Sequence, residues 1–172
     1  VPEGVKAFIY DTERDMLTHF IKWWVENTPD ILTGWNVNLY DVPYIARRVN
    51  RILGEKWMKS LSPWNRANER EVYVQGRKNY AYDVSGINIL DYLDLYRKFT
   101  YTNQESYRLD HIAFVELGQR KVDHSEYDNF KDFYTSDWQK FIEYNIQDVE
   151  LIDRLEDKMK LLELAITMAY DA

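Results

Sequence analysis

Cysteine is absent from the 172 residues of the chain. Its absence excludes a disulfide scaffold, thiolate metal sites and a cysteine nucleophile. The three histidines, His19, His111 and His124, lie far apart in the sequence, which argues against a histidine-rich zinc site. Metal chemistry in this protein would therefore depend on carboxylates, which favour hard ions such as Mg2+ or Mn2+.

Long apolar runs are also missing, since none approaches the roughly 20 residues that a membrane span requires. The first residues do not have the positively charged start and apolar core of a secretory leader. We therefore expect a cytoplasmic protein without a membrane partner. Hydrophobic residues make up 45% of the chain and aromatic residues 16%, which is enough for one packed domain over residues 1–172 and excludes a disordered tail.

The net charge of −7 is unevenly distributed along the chain. Residues 47–79 contain nine Lys or Arg against three Glu, whereas residues 116–172 contain fourteen acidic against seven basic residues. The first segment could meet phosphates, and the second could hold cations or remain solvated. Ordinary surface charge explains the same distribution equally well.

The hydrophobic pattern predicts a mixed α/β domain in the order strand, helix, strand, helix, hairpin and helices. Asp11 or Thr12 is expected to cap the first helix. We expect strands at residues 7–10, 31–35 and 87–90, a hairpin of strands 71–74 and 79–84, and helices after residue 11, near residue 43, and at residues 93–99, 107–117 and 138–170, the last being one helix or two in series.

Tyr144 and Asp148 are four residues apart on the long C-terminal helix and share one face. That face continues through Leu151 and Leu155, so Asp148 is expected at the edge of a buried surface. A carboxylate in such a place must be hydrogen-bonded, paired or bound to a cation. A hydrogen bond to a neighbouring loop amide and a metal site are both open.

Asn36 and Asp41 lie between a predicted buried strand and a predicted helix start. Such strand-to-helix turns are where α/β proteins place functional groups. Asp41 also suits a helix cap two residues before Pro43, so a structural role competes with a functional one.

These two segments resemble motifs of the 3′–5′ proofreading exonuclease domain of family B DNA polymerases. Residues 32–36 (LTGWN) and 41–45 (DVPYI) are similar to its second motif, and residues 144–148 (YNIQD) to its third. Residues 90–99 and 106–110 are similar to the polymerases of T-even-type bacteriophages. The segment around Gly76 resembles the hairpin that those polymerases use to separate the primer end from the template. The similarity runs in order along nearly the whole chain.

The resemblance implies an RNase H-like (DnaQ-like) α/β fold with a hairpin insertion and hydrolysis of the 3′-terminal phosphodiester of DNA by two Mg2+ or Mn2+ ions. It further implies that Asp148 is a metal ligand, that Asp41 assists the second ion, that Tyr144 orients the attacking water, and that Asn36 contacts the substrate strand. The implied partners are the 3′ end of single-stranded DNA and the other domains of a polymerase.

The first motif of that family is an Asp-x-Glu on a strand, which Asp11-Thr12-Glu13 only mimics. The 30 residues from Asp11 to Asp41 are too few for the strands and helix that the fold places between the two motifs. We therefore expect the first motif upstream of Val1, N-terminal strands to be absent, and the truncated domain to be inactive or weak alone.

Three alternatives remain open from the sequence. The chain could be a complete exonuclease that uses Asp11 and Glu13 together with Asp41 and Asp148. It could be a non-catalytic module whose basic segment, residues 47–79, binds DNA or a replication protein. It could also be a structural piece that dimerises through an exposed sheet edge.

Overall fold

The computed structural model describes residues 5–118, Thr135 and residues 137–171. The chain divides into an N-terminal unit, Phe8–Asp94, and a helical unit formed by Val1–Ala7 and Leu95–Ala172. No helix in the described part of the chain is both long and apolar enough to cross a bilayer.

The expected mixed α/β class is confirmed by the described elements. The strands are β1 (Ile31–Gly34), β2 (Ala67–Val74), β3 (Arg77–Val84) and β4 (Asn88–Asp91). The helices are α1 (Glu13–Glu26), α2 (Asp41–Leu53), α3 (Glu55–Lys59), α4 (Tyr92–Phe99), α5 (Leu109–Leu117), α6 (Trp138–Met159) and α7 (Leu161–Tyr170).

The N-terminal unit contains a parallel pair of strands, β1 and β4, and an antiparallel hairpin, β2 and β3. In the parallel pair, Gly34 at the end of β1 lies opposite Asp91 at the end of β4. Helices α1 and α2 pack on each other, and α2 also packs on β3. The buried core of this unit consists of Leu17, Ile21, Val37, Val42, Ala46, Val49, Met58, Leu61, Ala67, Tyr82, Val84 and Ile87.

Helix α1 begins as its sequence predicts. Thr12 is the N-cap, and its side-chain oxygen accepts a hydrogen bond from the backbone N–H of Asp15 at 3.1 Å. The strand predicted at residues 7–10 is wrong, because these residues have no regular secondary structure. Phe8 and Ile9 are exposed, and no strand of the described residues pairs with this segment.

The predicted hairpin is confirmed, with longer strands and a shorter turn than expected. Its strands pair from Ala67 opposite Val84 to Val74 opposite Arg77, so only Gln75 and Gly76 form the turn. Both turn residues have positive φ angles, 50° and 74°. This is the backbone of a two-residue turn whose twist matches that of the flanking strands.

The helical unit ends in two helices in series, one of the two alternatives left open by the sequence. Lys160, with φ of 55°, adopts the left-handed conformation between α6 and α7. Helix α5 packs on α6. Leu151, Ile152 and Leu155 of α6 are buried, which confirms that the face continuing from Asp148 points into a core.

Candidate functional site

A tight turn connects β1 to α2 and carries Asn36. The backbone N–H of Tyr40 donates to the carbonyl of Asn36 at 3.1 Å, and that of Val42 donates to the carbonyl of Val37 at 3.0 Å. Gly34 makes the turn compact, because a side chain there would collide with Val37. Asn36 itself has a positive φ of 64°, a conformation that asparagine adopts more readily than most residues.

The carboxylate of Asp91 holds this turn against the end of the parallel strand pair. Its Oδ1 accepts hydrogen bonds from the backbone N–H of Asn36 at 2.9 Å and of Leu93 at 3.1 Å. Its Oδ2 accepts from the N–H of Asn38 at 3.0 Å. The same side chain therefore caps the start of α4 and secures the turn after β1.

Asp91 is buried, with only 4% of its surface exposed. Burial raises the pKa of its carboxyl group, and the three backbone N–H donors act in the opposite direction. No local sequence motif had indicated a role for this residue. A usable indication was present, since Asp91 ends an apolar strand directly before a helix.

Asp41 is the first residue of α2 and does not cap it, so the predicted capping role is wrong. The N-cap position is Tyr40, whose side chain makes no cap hydrogen bond. The hydrogen-bonded turn after β1 runs directly into α2, which moves the helix boundary to the residue before Asp41.

Asp41 lies at the edge of an apolar crevice of about 100 Å3 in the N-terminal unit. The other lining residues are aliphatic or aromatic: Phe20, Trp24, Leu32, Val37, Val42, Ile45, Leu61, Val84, Ile87 and Ile89. Although Asp41 as a whole residue is exposed, partial loss of water from its carboxyl group raises the pKa of that group. Asp41 is therefore an accessible carboxylate in a locally apolar setting.

Tyr144 and Asp148 lie on α6 in the helical unit, and both are half-buried. The Oδ1 atom of Asp148 is buried. The sequence prediction that Asp148 stands at the edge of a buried helix face is thus confirmed. Asp41 and Asp148 belong to different units, and their binding of shared ions stays a prediction.

Helix α6 is fixed by a polar contact near its C-terminal end. The Tyr96 hydroxyl, which is fully buried, donates to Oε1 of Glu116 at 2.9 Å. Lys158 of α6 donates to Oε2 of the same carboxylate at 3.2 Å and to the backbone carbonyl of Glu116. Burial, together with the Glu116 carboxylate, raises the pKa of Tyr96.

The Asp-Thr-Glu segment at residues 11–13 has a structural use. Thr12 caps α1, and the guanidinium of Arg48 on α2 donates to both carboxylate oxygens of Glu13, with 2.7 Å between Nε and Oε1. Arg48 holds the pKa of Glu13 below its ordinary value. A carboxylate engaged in this way is a poor candidate for a metal ligand.

The basic segment at residues 47–79 is partly neutralised by its neighbours. Five of its nine basic side chains form ion pairs: Arg47 with Glu69, Arg48 with Glu13, Lys59 with Glu55, Arg70 with Asp83, and Lys78 with Glu71. Two of these pairs lie within the hairpin, and Arg47 also stacks over the ring of Tyr80 at 4.6 Å. This pairing lowers the positive potential that the sequence alone suggested for a phosphate-binding surface.

Asp41 and Asp148 fit a hard divalent ion by the type of their oxygen donors. The described residues nevertheless contain no cluster of three or more His, Cys, Asp or Glu side chains that could hold an ion. A single carboxylate binds Mg2+ or Mn2+ weakly, so each residue needs further ligands.

Residues 1–112 match the model of the family described as "DNA polymerase family B, exonuclease domain". This match includes Asn36, Asp41 and Asp91, whereas Tyr144 and Asp148 lie outside it.

Relatives of known identity match nearly the whole chain. It is 38% identical to the DNA-directed DNA polymerase of Enterobacteria phage T4 and 37% identical to that of Escherichia phage RB69, each over 164 residues and 95% of the chain. It is 26% identical to the DNA polymerase of Bombyx mori nuclear polyhedrosis virus over 94% of its length. The chain spans 18% of each phage polymerase and 16% of the viral one.

Proposed function

We propose that this chain, which belongs to the exonuclease domains of family B DNA polymerases, removes nucleotides from the 3′ end of a DNA strand as part of such a domain. The match over residues 1–112 confirms the family expected from the sequence motifs, together with its RNase H-like α/β fold. Exonuclease domains of this family depend on metal ions. The substrate, the ions and the residues that act here are proposals.

The supporting observation is the turn between β1 and α2. It carries Asn36 and leads to Asp41, both within the segment that matches the family. Two hydrogen bonds, from the N–H groups of Asn36 and Asn38, hold this turn on Asp91, and backbone hydrogen bonds continue from it into α2, so its residues keep a defined position. Preorganised groups of this kind are what a hydrolytic site requires.

Asp41 and Asp148 are proposed to supply carboxylate oxygens as ligands for Mg2+ or Mn2+. Divalent ions, when bound, lower the pKa of an attacking water and neutralise charge at the scissile phosphate. Tyr144, four residues before Asp148 on the same face of α6, donates a hydrogen bond that orients the water. Asn36 contacts the DNA strand near its 3′ end.

The isolated chain is proposed to be inactive or nearly so. An ion gains affinity from each additional anionic oxygen, and the described residues offer no group of three metal-binding side chains. Glu13 does not compensate, because Arg48 already binds its carboxylate. The remaining ligands, and the other polymerase domains, are proposed partners.

A Mn2+ titration of the full chain, followed by calorimetry and by paramagnetic broadening of amide NMR resonances, tests the metal ligands. We expect weak binding that broadens the resonances next to Asp41 and Asp148. The variants Asp41→Asn and Asp148→Asn should each lose the broadening at their own position. Asp94→Asn and Asp153→Asn, which change exposed carboxylates in the same two units, are the matched controls.

Broadening that is unchanged by both variants would overturn the proposed metal ligands. Salt-sensitive DNA binding that is indifferent to Mn2+ would instead favour a non-catalytic DNA-binding module. Hydrolysis of a single-stranded oligonucleotide by the isolated chain, abolished by Asp148→Asn, would contradict the proposed inactivity. If Asp11→Asn also abolished this hydrolysis, the result would favour a complete exonuclease that uses the Asp-Thr-Glu segment.

A further inference from the structure

We infer that Asp91 is a positioning residue, which sets the place of Asn36 and Asp41 by binding the turn between β1 and α2 through its carboxylate. This inference rests on the proposed function for the roles of Asn36 and Asp41. The clamp itself, defined as the three hydrogen bonds from the N–H groups of Asn36, Asn38 and Leu93 to Asp91, stands on geometry alone.

Helix capping does not account for the whole arrangement. A cap needs one or two bonds to the N–H groups of its own helix, as with Thr12 in α1 and Asp137 in α6, which accept from Asp15 and Lys140 respectively. Asp91 makes such a bond to Leu93. Its two further bonds reach residues more than fifty positions earlier in the chain, on a different element.

Burial makes these bonds consequential. Asp91 is 4% exposed, so a carboxylate there is stable only with hydrogen-bonding partners. The N–H groups of Asn36 and Asn38 make these bonds in a part-buried setting. If the turn moved, the Asp91 carboxylate and the two N–H groups would lose their hydrogen-bond partners. This cost fixes the position of the turn relative to the end of β4.

The consequence for the site follows from the short distance along the chain. Asn36 is bound through its backbone N–H rather than through its side-chain amide. Asp41 follows Asn38 by three residues, and the N–H groups of Tyr40 and Val42 continue the hydrogen-bonded path into α2. A shift of the turn would displace both proposed functional side chains together.

The substitution Asp91→Asn gives a sharp test because it is nearly isosteric. Its amide oxygen can replace Oδ1 and still accept from Asn36 and Leu93, whereas its NH2 group would face the N–H of Asn38. Hydrogen exchange at the Asn38 amide should accelerate about tenfold or more relative to the core amides of Ala46 and Val49. Asp94→Asn, an exposed change of the same charge in the first turn of α4, should leave it unchanged.

Acceleration that is uniform across the N-terminal unit would mean that Asp91 only stabilises the fold, and would overturn the positioning role. If Asp91→Asn does not fold, the unmodified chain decides. Its spectra should show through-hydrogen-bond couplings from the amide nitrogens of Asn36 and Asn38 to the side-chain carboxyl carbon of Asp91. Absence of both couplings would overturn the clamp.

The Mn2+ titration distinguishes a failure of this inference from a failure of the proposed function. If the unmodified chain shows broadening next to Asp41, Asp91→Asn should weaken the apparent Mn2+ affinity there severalfold, and more than Asp94→Asn does. Equal effects of the two variants would overturn the positioning role. Absence of broadening in the unmodified chain would overturn the proposed function, while exchange and couplings would still decide the clamp.

Discussion

The two proposed metal ligands are supported in different ways. Asp41 follows a turn that depends on one buried side chain, Asp91, and on the two hydrogen bonds that this side chain accepts from the turn. Asp148 lies on a helix of 22 residues whose buried face is distributed over Leu151, Ile152 and Leu155. The first support is therefore local and sensitive to one substitution, whereas the second is spread over packing and the contact of Lys158 with Glu116.

The difference shows how the same kind of side chain reaches a defined position by two routes. The turn between β1 and α2 contributes one buried apolar side chain, Val37, to the core, so its polar contacts with Asp91 carry much of its support. A long amphipathic helix is held by its apolar face, and its polar contacts adjust the ends. Substitutions in the two supports should therefore have effects of different size and extent.

The largest effect is expected for Asp91→Ala. This change leaves three backbone N–H groups without their acceptor, two of them in the turn, and should lower the free energy of unfolding by roughly 3–5 kcal/mol. Urea denaturation measures it, with Asp94→Ala as the control. A loss below about 1 kcal/mol would mean that water replaces Asp91 easily and that the turn does not depend on it.

A smaller effect is expected for Tyr96→Phe in the helical unit. Loss of the hydroxyl removes one buried hydrogen bond to Glu116 and should cost about 1–1.5 kcal/mol. Hydrogen exchange should accelerate in the last turns of α6 and remain unchanged at Asn38. Tyr101→Phe, at a fully exposed position, is the control. Acceleration at Asn38 would contradict the separation of the two supports.

The pH dependence of stability should distinguish Asp41 from a fully solvated carboxylate. Its pKa is raised above 3.8 by loss of water, so the folded protein holds this proton more tightly than the unfolded chain. The unmodified protein should therefore lose stability relative to Asp41→Asn as the pH rises from about the ordinary Asp value through the raised one. Urea midpoints of both proteins measure it, and an opposite trend would show that the ionised form is favoured.

The smallest effect is expected for Glu13→Gln. Because Arg48 binds this carboxylate, the substitution should not change Mn2+ binding, in contrast to Asp41→Asn. Arg48→Gln is a matched change of the other partner: it frees the Glu13 carboxylate, so any Mn2+ binding at Glu13 should appear in this variant and not in the unmodified chain. Reduced Mn2+ affinity in Glu13→Gln alone would restore the Asp-Thr-Glu segment as a ligand candidate.

The sequence predicted the elements that have local patterns. The helical spacing of α1 and α6, the hairpin around Gly76 and the buried strand before Asn36 could all be identified, because each pattern involves residues within one or two turns or strands. The residues proposed to act in catalysis were also identified, because they lie in motifs that resemble those of the family. Their roles stay predictions.

The sequence could not predict features that depend on distant residues. The clamp joins Asp91 to Asn36 and Asn38, which only the parallel pairing of β1 with β4 brings together. The pairing of Arg48 with Glu13 likewise requires the packing of α1 on α2. The strand expected at residues 7–10 had a favourable composition, but a strand also requires a neighbour, which no local pattern supplies.

The turn at Gln75 and Gly76 has a consequence at the far end of the hairpin. Because only two residues separate the strands, pairing continues without interruption to Ala67 and Val84. If the turn keeps its two residues, one residue inserted at the tip would shift β3 by one position, so that the exposed Asp83 would take the inward place of Val84 opposite Ala67. The length of this exposed loop is therefore constrained by the core that lies eight residues away.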